Sequence, residues 1–128
     1  MKLTPVLIVD AIEPCLAFWV DRLGFAVTVT VPHEDRIGFA ILVKDGAEVM
    51  YQTRASVADD APAALDPHGG HSAGLFVEVP DLDVIERALD GVPLTLPRRT
   101  TFYGMTEIGV RAPGGHVVVF AQPTAAAP

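Results

Sequence analysis

The sequence predicts an α+β fold built from two tandem βαβββ modules. The main observation is an internal repeat, because residues 3–52 and 74–121 each open with an apolar strand that ends in an acidic residue, Asp10 in the first half and Asp81 in the second. Each half continues with a helical stretch, a weaker strand, a stronger strand, a Gly turn and a last apolar strand. Neither half is long enough to bury a large core alone, so we expect the functional site to lie between the halves.

The first module, about residues 3–52, begins with a strand over about residues 4–9. Pro14 stands in the first turn of the following helix, where a missing N–H costs nothing. Apolar residues at i, i+3 and i+7 give this helix one apolar face, and Gly24 follows as its left-handed cap. Three β-rich stretches joined by tight turns complete the module, and they are Phe25–Val31, Ile37–Val43 and Ala47–Gln52.

Residues 53–73 are expected to form a linker, since they contain Ala, Pro, Asp and Gly without periodicity. A loop of this length inside one small domain of 128 residues is usually functional or mobile. His68 and His71 lie in it, and exposed loop histidines are favoured over a metal site. The second module, about residues 74–122, is expected to contain a strand at 75–79, a helix at about 81–89 and strands at 93–100, 106–111 and 116–121. His33 and His116 are expected at the surface.

Composition excludes several classes of function. The net charge of −7, from 16 acidic and 9 basic residues, argues against a nucleic-acid partner, which needs a basic surface. No apolar run approaches the roughly 20 residues that span a bilayer, and the N-terminus lacks the features of a signal peptide, so no membrane association and a cytoplasmic location are expected. Cys15 is the only cysteine, which excludes an intramolecular disulfide and predicts a buried thiol.

Two stretches, FWVDRLGF and YGMTEIGVRAPGGHVVVF, resemble the vicinal oxygen chelate superfamily. This superfamily contains glyoxalase I, extradiol dioxygenases, fosfomycin-resistance enzymes and bleomycin-resistance proteins. The second stretch is similar to its ending G-M-x-E-x-x-V-x-D-P-x-G, although Ala112 stands where the pattern has Asp. The resemblance covers nearly the whole chain. It implies a cupped mixed sheet from each module, two such sheets facing across a cleft within one chain or between swapped chains, and a homodimer.

The resemblance also implies where a metal would bind. In the enzymes of this superfamily, four strand positions supply His, Glu or Gln to a divalent cation. By the pattern, these positions are Leu3, Met50, Gly74 and Val119. None of these side chains offers the O or N donor that such a cation needs. A shift of one residue on the last strands would give Tyr51 and Phe120, which are no better, whereas a shift of two would admit Glu48 or Gln52. We therefore expect no metal and no other cofactor.

Strand alternation indicates which side chains face the cleft. The candidate ligand-binding residues are Glu48, Met50, Phe76, Glu78, Tyr103, Glu107, Arg111, Val117 and Val119. Glu78 is the most informative, because it interrupts an apolar strand and a buried carboxylate is costly unless it is paired. Two alternatives remain open for it, a structural pair with Arg111 or a role in ligand binding.

Three functions fit these observations. The favoured one is a metal-free small-molecule binding protein, closest in character to bleomycin-resistance proteins, that sequesters a drug or metabolite with an apolar body and, by the acidic balance, a cationic group. The alternative is an enzyme, either a glyoxalase-like lyase or isomerase or a dioxygenase, that uses a relocated metal or takes Glu78 or Glu107 as its base. The third is an interaction module that pairs as a homodimer. Metal analysis separates the first two, and the sequence does not identify the ligand.

Overall fold

Two four-stranded mixed sheets form the framework of the protein. The computed structural model describes residues 1–65 and 73–124, and the chain divides into two units, Met1–Gly70 and His71–Pro128. The strand order is β1-β4-β3-β2 in the first sheet and β5-β8-β7-β6 in the second, so the same topology occurs twice. The α+β class and the tandem βαβββ pattern are confirmed.

The elements agree with the expected bounds to within two residues, apart from the segment after β4. The first unit contains β1 (Val6–Val9), α1 (α-helical over Glu13–Leu16 and π-helical over Ala17–Arg22), β2 (Ala26–His33), β3 (Arg36–Lys44), β4 (Ala47–Thr53), α2 (Arg54–Asp60) and a 3-10 turn (Pro62–Ala64). The second unit contains β5 (Leu75–Glu78), α3 (Leu82–Ala88), β6 (Leu94–Thr100), β7 (Met105–Arg111) and β8 (Val117–Pro123). No helix in the described ranges is long and apolar enough to cross a membrane.

The helix α2 lies in the segment that was expected to be an irregular linker. Thr53 caps it, since the Thr53 side chain accepts a hydrogen bond of 3.2 Å from the Ser56 backbone N–H. Val57 is its one buried residue, with 2% of its surface exposed. A helix of seven residues with a single apolar anchor has no detectable periodicity, so the sequence pattern missed it. The expected loop residues His68 and His71 lie outside the described residues.

The core of the first unit forms between α1 and the β4 side of the sheet. Trp19 donates a hydrogen bond of 2.8 Å from Nε1 to the Tyr51 hydroxyl, and both residues are buried. Phe18 and Phe25 contact Trp19 edge-on, with ring centroids 5.1 and 4.9 Å away. Along β4, Val49 and Tyr51 are buried under the helix while the alternate side chains are partly exposed, as the alternation predicted.

The second unit repeats this arrangement with α3. Its sheet buries Ile108, Val110, Val118 and Phe120, each at most 1% exposed. In the parallel ladders, Met50 is the partner of Val6 in the first sheet and Val119 is the partner of Phe76 in the second. The two metal-ligand positions inferred for the last strands are thus equivalent in the two sheets.

His116 differs from its expected surface position. His116 is only 5% exposed, because it precedes β8 in alternation with Val118 and Phe120 and shares their buried face. His33 ends β2, and its ring Nε2 lies 2.7 Å from Asp59 Oδ2 on α2. The His33 side chain is 21% exposed, which is compatible with the expected surface position, and it lies beside a helix that the sequence did not reveal.

Candidate functional site

The candidate site is the face of the second sheet that carries Phe76 and Glu78, which we call the open face. Cross-strand register places side chains on it in two rows. The first row is Phe76, Val119, Gly109 and Leu96, and the second is Glu78, Ala121, Glu107 and Arg99. Gly109 has no side chain in the first row, and the row requires this, because a Cβ at Gly109 would lie 2.8 Å from the Cβ of Leu96.

Phe76 and Glu78 are both exposed, Phe76 by 54%. Within the described residues, the Glu78 carboxylate takes part in no hydrogen bond or ion pair. The alternative of a Glu78–Arg111 pair is not realised, since Arg111 donates from Nη1 to the Gly115 carbonyl at 2.7 Å. The reason is the register: Glu78 is opposite Ala121 on β8, whereas Arg111 is opposite Val117.

Glu107 has the opposite environment, because it is 1% exposed and fully paired. Arg99 donates to its Oε1 from Nε at 2.9 Å and from Nη2 at 2.7 Å. The Tyr103 hydroxyl lies 2.9 Å from Oε1 and 3.0 Å from Oε2. A buried carboxylate is tolerated when a cation and hydrogen-bond donors satisfy it in this way. The sequence analysis did not include Arg99 among the candidate site residues. The adjacent Arg98-Arg99 pair was the only feature that could have indicated it.

The guanidinium of Arg99 is charged and partly free to bind. Its hydrogen bonds to Glu107 raise the pKa of Arg99, so it stays protonated at any physiological pH. Two of its five N–H donors are used on Glu107, and the remaining donors have no acceptor in the described parts of the chain. The side chain is 54% exposed.

The corresponding face of the first sheet is apolar. It carries Val6, Met50, Ile41 and Val29 in one row. Glu48 lies at the end of this face and accepts hydrogen bonds from Lys2 Nζ at 3.0 Å and from Thr4 Oγ1 at 3.1 Å. The bond from Lys2 is the main reason that the pKa of Glu48 is lowered. Glu48 and Met50 therefore belong to the first unit, while the other candidate residues belong to the second, and a shared cleft stays a prediction.

Solved structures with the same topology decide the fold. A glyoxalase/bleomycin resistance protein/dioxygenase from Nocardioides has a TM-score of 0.73 at 15% identity, over 99% of this chain and 86% of that one. This is the vicinal oxygen chelate fold. TioX from Micromonospora sp. ML1 has a TM-score of 0.73 at 22% identity, over 96% and 98% of the two chains. Lactoylglutathione lyase from Agrobacterium tumefaciens has a TM-score of 0.74 at 14% identity, over 95% and 92%. No family model and no curated protein matches the sequence.

The metal positions implied by the vicinal oxygen chelate fold do not fit a divalent cation in this chain. Leu3 is 89% exposed and precedes β1, and Gly74 precedes β5. Met50 and Val119 lie partly buried on the two sheet faces. Across residues 1–65 and 73–124, no group of three or more His, Cys, Asp or Glu side chains could hold a metal ion.

The first unit also has a charged pocket of about 370 Å³ that the sequence did not predict. Residues that line it include Asp10, His33 and Thr53, at the ends of β1, β2 and β4. Two of its polar side chains already have partners, since Asp10 lies 3.1 Å from Arg54 and His33 lies 2.7 Å from Asp59. In this vicinal oxygen chelate fold, the open face of the second sheet is therefore the better candidate for ligand binding.

Proposed function

We propose that this protein is a metal-free small-molecule binding protein of the glyoxalase/bleomycin-resistance type. In this proposal, a partly apolar ligand with a cationic group lies on the open face of the second sheet. The observation that carries the proposal is Glu78, an exposed carboxylate without a partner among the described residues, beside an exposed Phe76.

Phe76 and Glu78 are two residues apart on β5, so their side chains project from the same side of the sheet. An aromatic face and a carboxylate both attract an organic cation. Val119, the partner of Phe76 on β8, is partly exposed and gives this part of the face an apolar floor for the body of the ligand. The net charge of −7 adds a long-range attraction for cations.

The residues at the implied metal positions support the metal-free part of the proposal, because Leu3, Met50, Gly74 and Val119 have no donor side chains. The enzyme alternative is weakened at one of its two candidate bases. The Glu107 carboxylate is 1% exposed and already accepts hydrogen bonds from Arg99 and Tyr103, so it is not accessible to a substrate. Glu78 remains available as a base.

A direct test measures the binding of hexylamine, which joins a cation to an apolar chain, by calorimetry or by NMR titration. We expect Glu78→Gln to weaken hexylamine binding by about tenfold, the loss expected for one charge-assisted contact. Glu86→Gln is the matched control, since Glu86 is an acidic residue on α3 that pairs with Arg98. Equal affinities of the wild-type protein and Glu78→Gln would contradict the cation site. Elemental analysis that finds about one metal ion per chain would contradict the metal-free part.

A further inference from the structure

We propose that the ligand of the open face also carries an acidic group, which Arg99 binds, so that the ligand is zwitterionic. This inference rests on the proposed function, because it adds a second recognition point to the same face. It arises from the cross-strand row in which Glu78 and Arg99 are the two ends.

The row runs across four adjacent strands, with Ala121 and Glu107 between its ends. Adjacent strands are about 4.8 Å apart, so about 10 Å separate the backbones at Glu78 and Glu107. The guanidinium of Arg99 lies beside the Glu107 carboxylate, at 2.7 Å. A free carboxylate and a cation are therefore held on one face, with Ala121 between Glu78 and the Glu107–Arg99 pair.

Arg99 is held in place before any ligand binds. An exposed arginine loses side-chain entropy when it is fixed, and prior fixing removes that cost from ligand binding. The buried Glu107 supplies two anchor bonds, and Tyr103 fixes the Glu107 carboxylate in turn. Glu107 and Tyr103 are positioning residues in this arrangement, and the free N–H groups of Arg99 match a carboxylate or phosphate.

The neighbouring residue, Arg98, is also an arginine but does not lie on the open face. Arg98 projects to the other side of β6 and lies 2.9 Å from Asp83 and 3.4 Å from Glu86 on α3. Of the two adjacent arginines, Arg99 is thus the one on the same face as Phe76 and Glu78. The pair provides a matched control on the same strand.

The test compares three probes of equal chain length by calorimetry: hexylamine, hexanoate and ε-aminocaproate. Hexylamine reports on the proposed cation site alone, and hexanoate reports on Arg99 alone. We expect ε-aminocaproate, which carries both groups, to bind at least about tenfold more tightly than hexylamine, because a second charge-assisted contact is added. Equal affinities of ε-aminocaproate and hexylamine would overturn this inference while leaving the cation site intact. Absence of hexylamine binding would instead overturn the proposed function.

The decisive variant is Arg99→Met combined with Glu107→Gln, which removes the guanidinium without leaving an unpaired buried carboxylate. We expect this double variant to bind ε-aminocaproate as weakly as hexylamine, and Arg98→Met to retain the full difference. A difference retained in the double variant would overturn the role of Arg99. A measurement on the wild-type protein avoids any folding defect, because Arg99 Nε–H already donates to Glu107 and the free donors are on the Nη nitrogens. The Arg99 Nη–H resonances should shift with ε-aminocaproate and not with hexylamine, and unshifted Nη–H resonances would overturn the proposal.

Discussion

Glu107 is the residue whose environment most distinguishes the second sheet, because an acidic side chain is almost fully buried on the face that also carries the exposed Phe76 and Glu78. Its carboxylate stays satisfied through Arg99 and Tyr103. By contrast, Glu78 in the same row projects into solvent. Two glutamates on one face thus have different environments: the Glu78 carboxylate is exposed, while Glu107 is buried and holds the arginine beside it.

We predict that Tyr103→Phe lowers the free energy of unfolding by about 1–2 kcal/mol, because a buried carboxylate loses a hydrogen bond. Urea denaturation followed by the fluorescence of Trp19 would measure this change. Phe102→Leu is the control, since Phe102 is fully exposed and a change there should stay within about 0.5 kcal/mol. Equal effects of the two substitutions would show that the Tyr103 hydroxyl does not stabilise Glu107.

Cys15 provides a prediction about alkaline pH. Burial raises the pKa of the Cys15 thiol from 9.0 to about 11. Between these values the unfolded chain releases a proton that the native protein keeps, so the contribution of Cys15 to stability is complete below pH 9 and declines up to pH 11. We expect the stability difference between the wild-type protein and Cys15→Ala to shrink by about 1 kcal/mol between pH 8 and pH 10.

The measurement is chemical denaturation of both proteins at the two pH values. The same burial should protect the thiol, so we expect a thiol reagent to react with Cys15 only at the rate of unfolding. Native protein that reacts as fast as a free thiol, or a stability difference that is constant up to pH 10, would contradict the burial argument.

At the scale of elements, α2 depends on its cap. We predict that Thr53→Ala destabilises this helix by about 1 kcal/mol, because the Ser56 N–H loses its acceptor. Hydrogen exchange of the amides in Arg54–Asp60 would detect the change as faster exchange. Thr53→Ser is the matched control, since it keeps the hydroxyl and removes only a methyl group. Similar exchange in both variants would mean that packing of Val57, rather than the cap, holds the helix.

One edge strand of each sheet, β2 in the first and β6 in the second, has features that oppose pairing with another chain. β2 has two register irregularities and Pro32, and β6 has two irregularities and Pro97. Bulges twist an edge, and proline removes a backbone donor, so both edges are poor templates for strand addition.

For the whole molecule, we predict a homodimer that covers the apolar face of the first sheet. Val6, Val29 and Val31 lie on that face and are 41–49% exposed, more than is usual for a set of valines on one surface. Light scattering of the wild-type protein at micromolar concentration should give twice the mass of one chain. A monomer at that concentration would contradict this prediction.

Paired lysine substitutions on β2 locate the interface. We expect Val29→Lys with Val31→Lys to give a monomer, because two buried charges without partners would oppose association. Thr28→Lys with Thr30→Lys is the matched control, since these exposed residues project from the other side of the same strand. The same mass for both double variants would place the interface elsewhere.

The sequence determined the repeat, the strands and the helix-facing side of each sheet, because alternation and turn residues are properties of neighbouring positions. Alternation correctly placed Tyr51 and Phe120 on the buried, helix-facing sides of the two sheets, and Met50 and Val119 on the opposite sides. The helix α2 was not predicted, because a short helix with one buried apolar residue shows no periodic pattern of apolar residues. These outcomes depend only on signals within a few residues along the chain.

The tertiary structure alone decided which charged groups meet. Arg99 reaches Glu107 because β6 shifts register between Leu96 and Arg99, an irregularity that no local pattern reveals. Arg111 turns back to the Gly115 carbonyl and leaves Glu78 without its expected partner. Pairing across strands depends on register and bulges, which are set by the whole sheet, so the polar half of the candidate site became visible only in three dimensions.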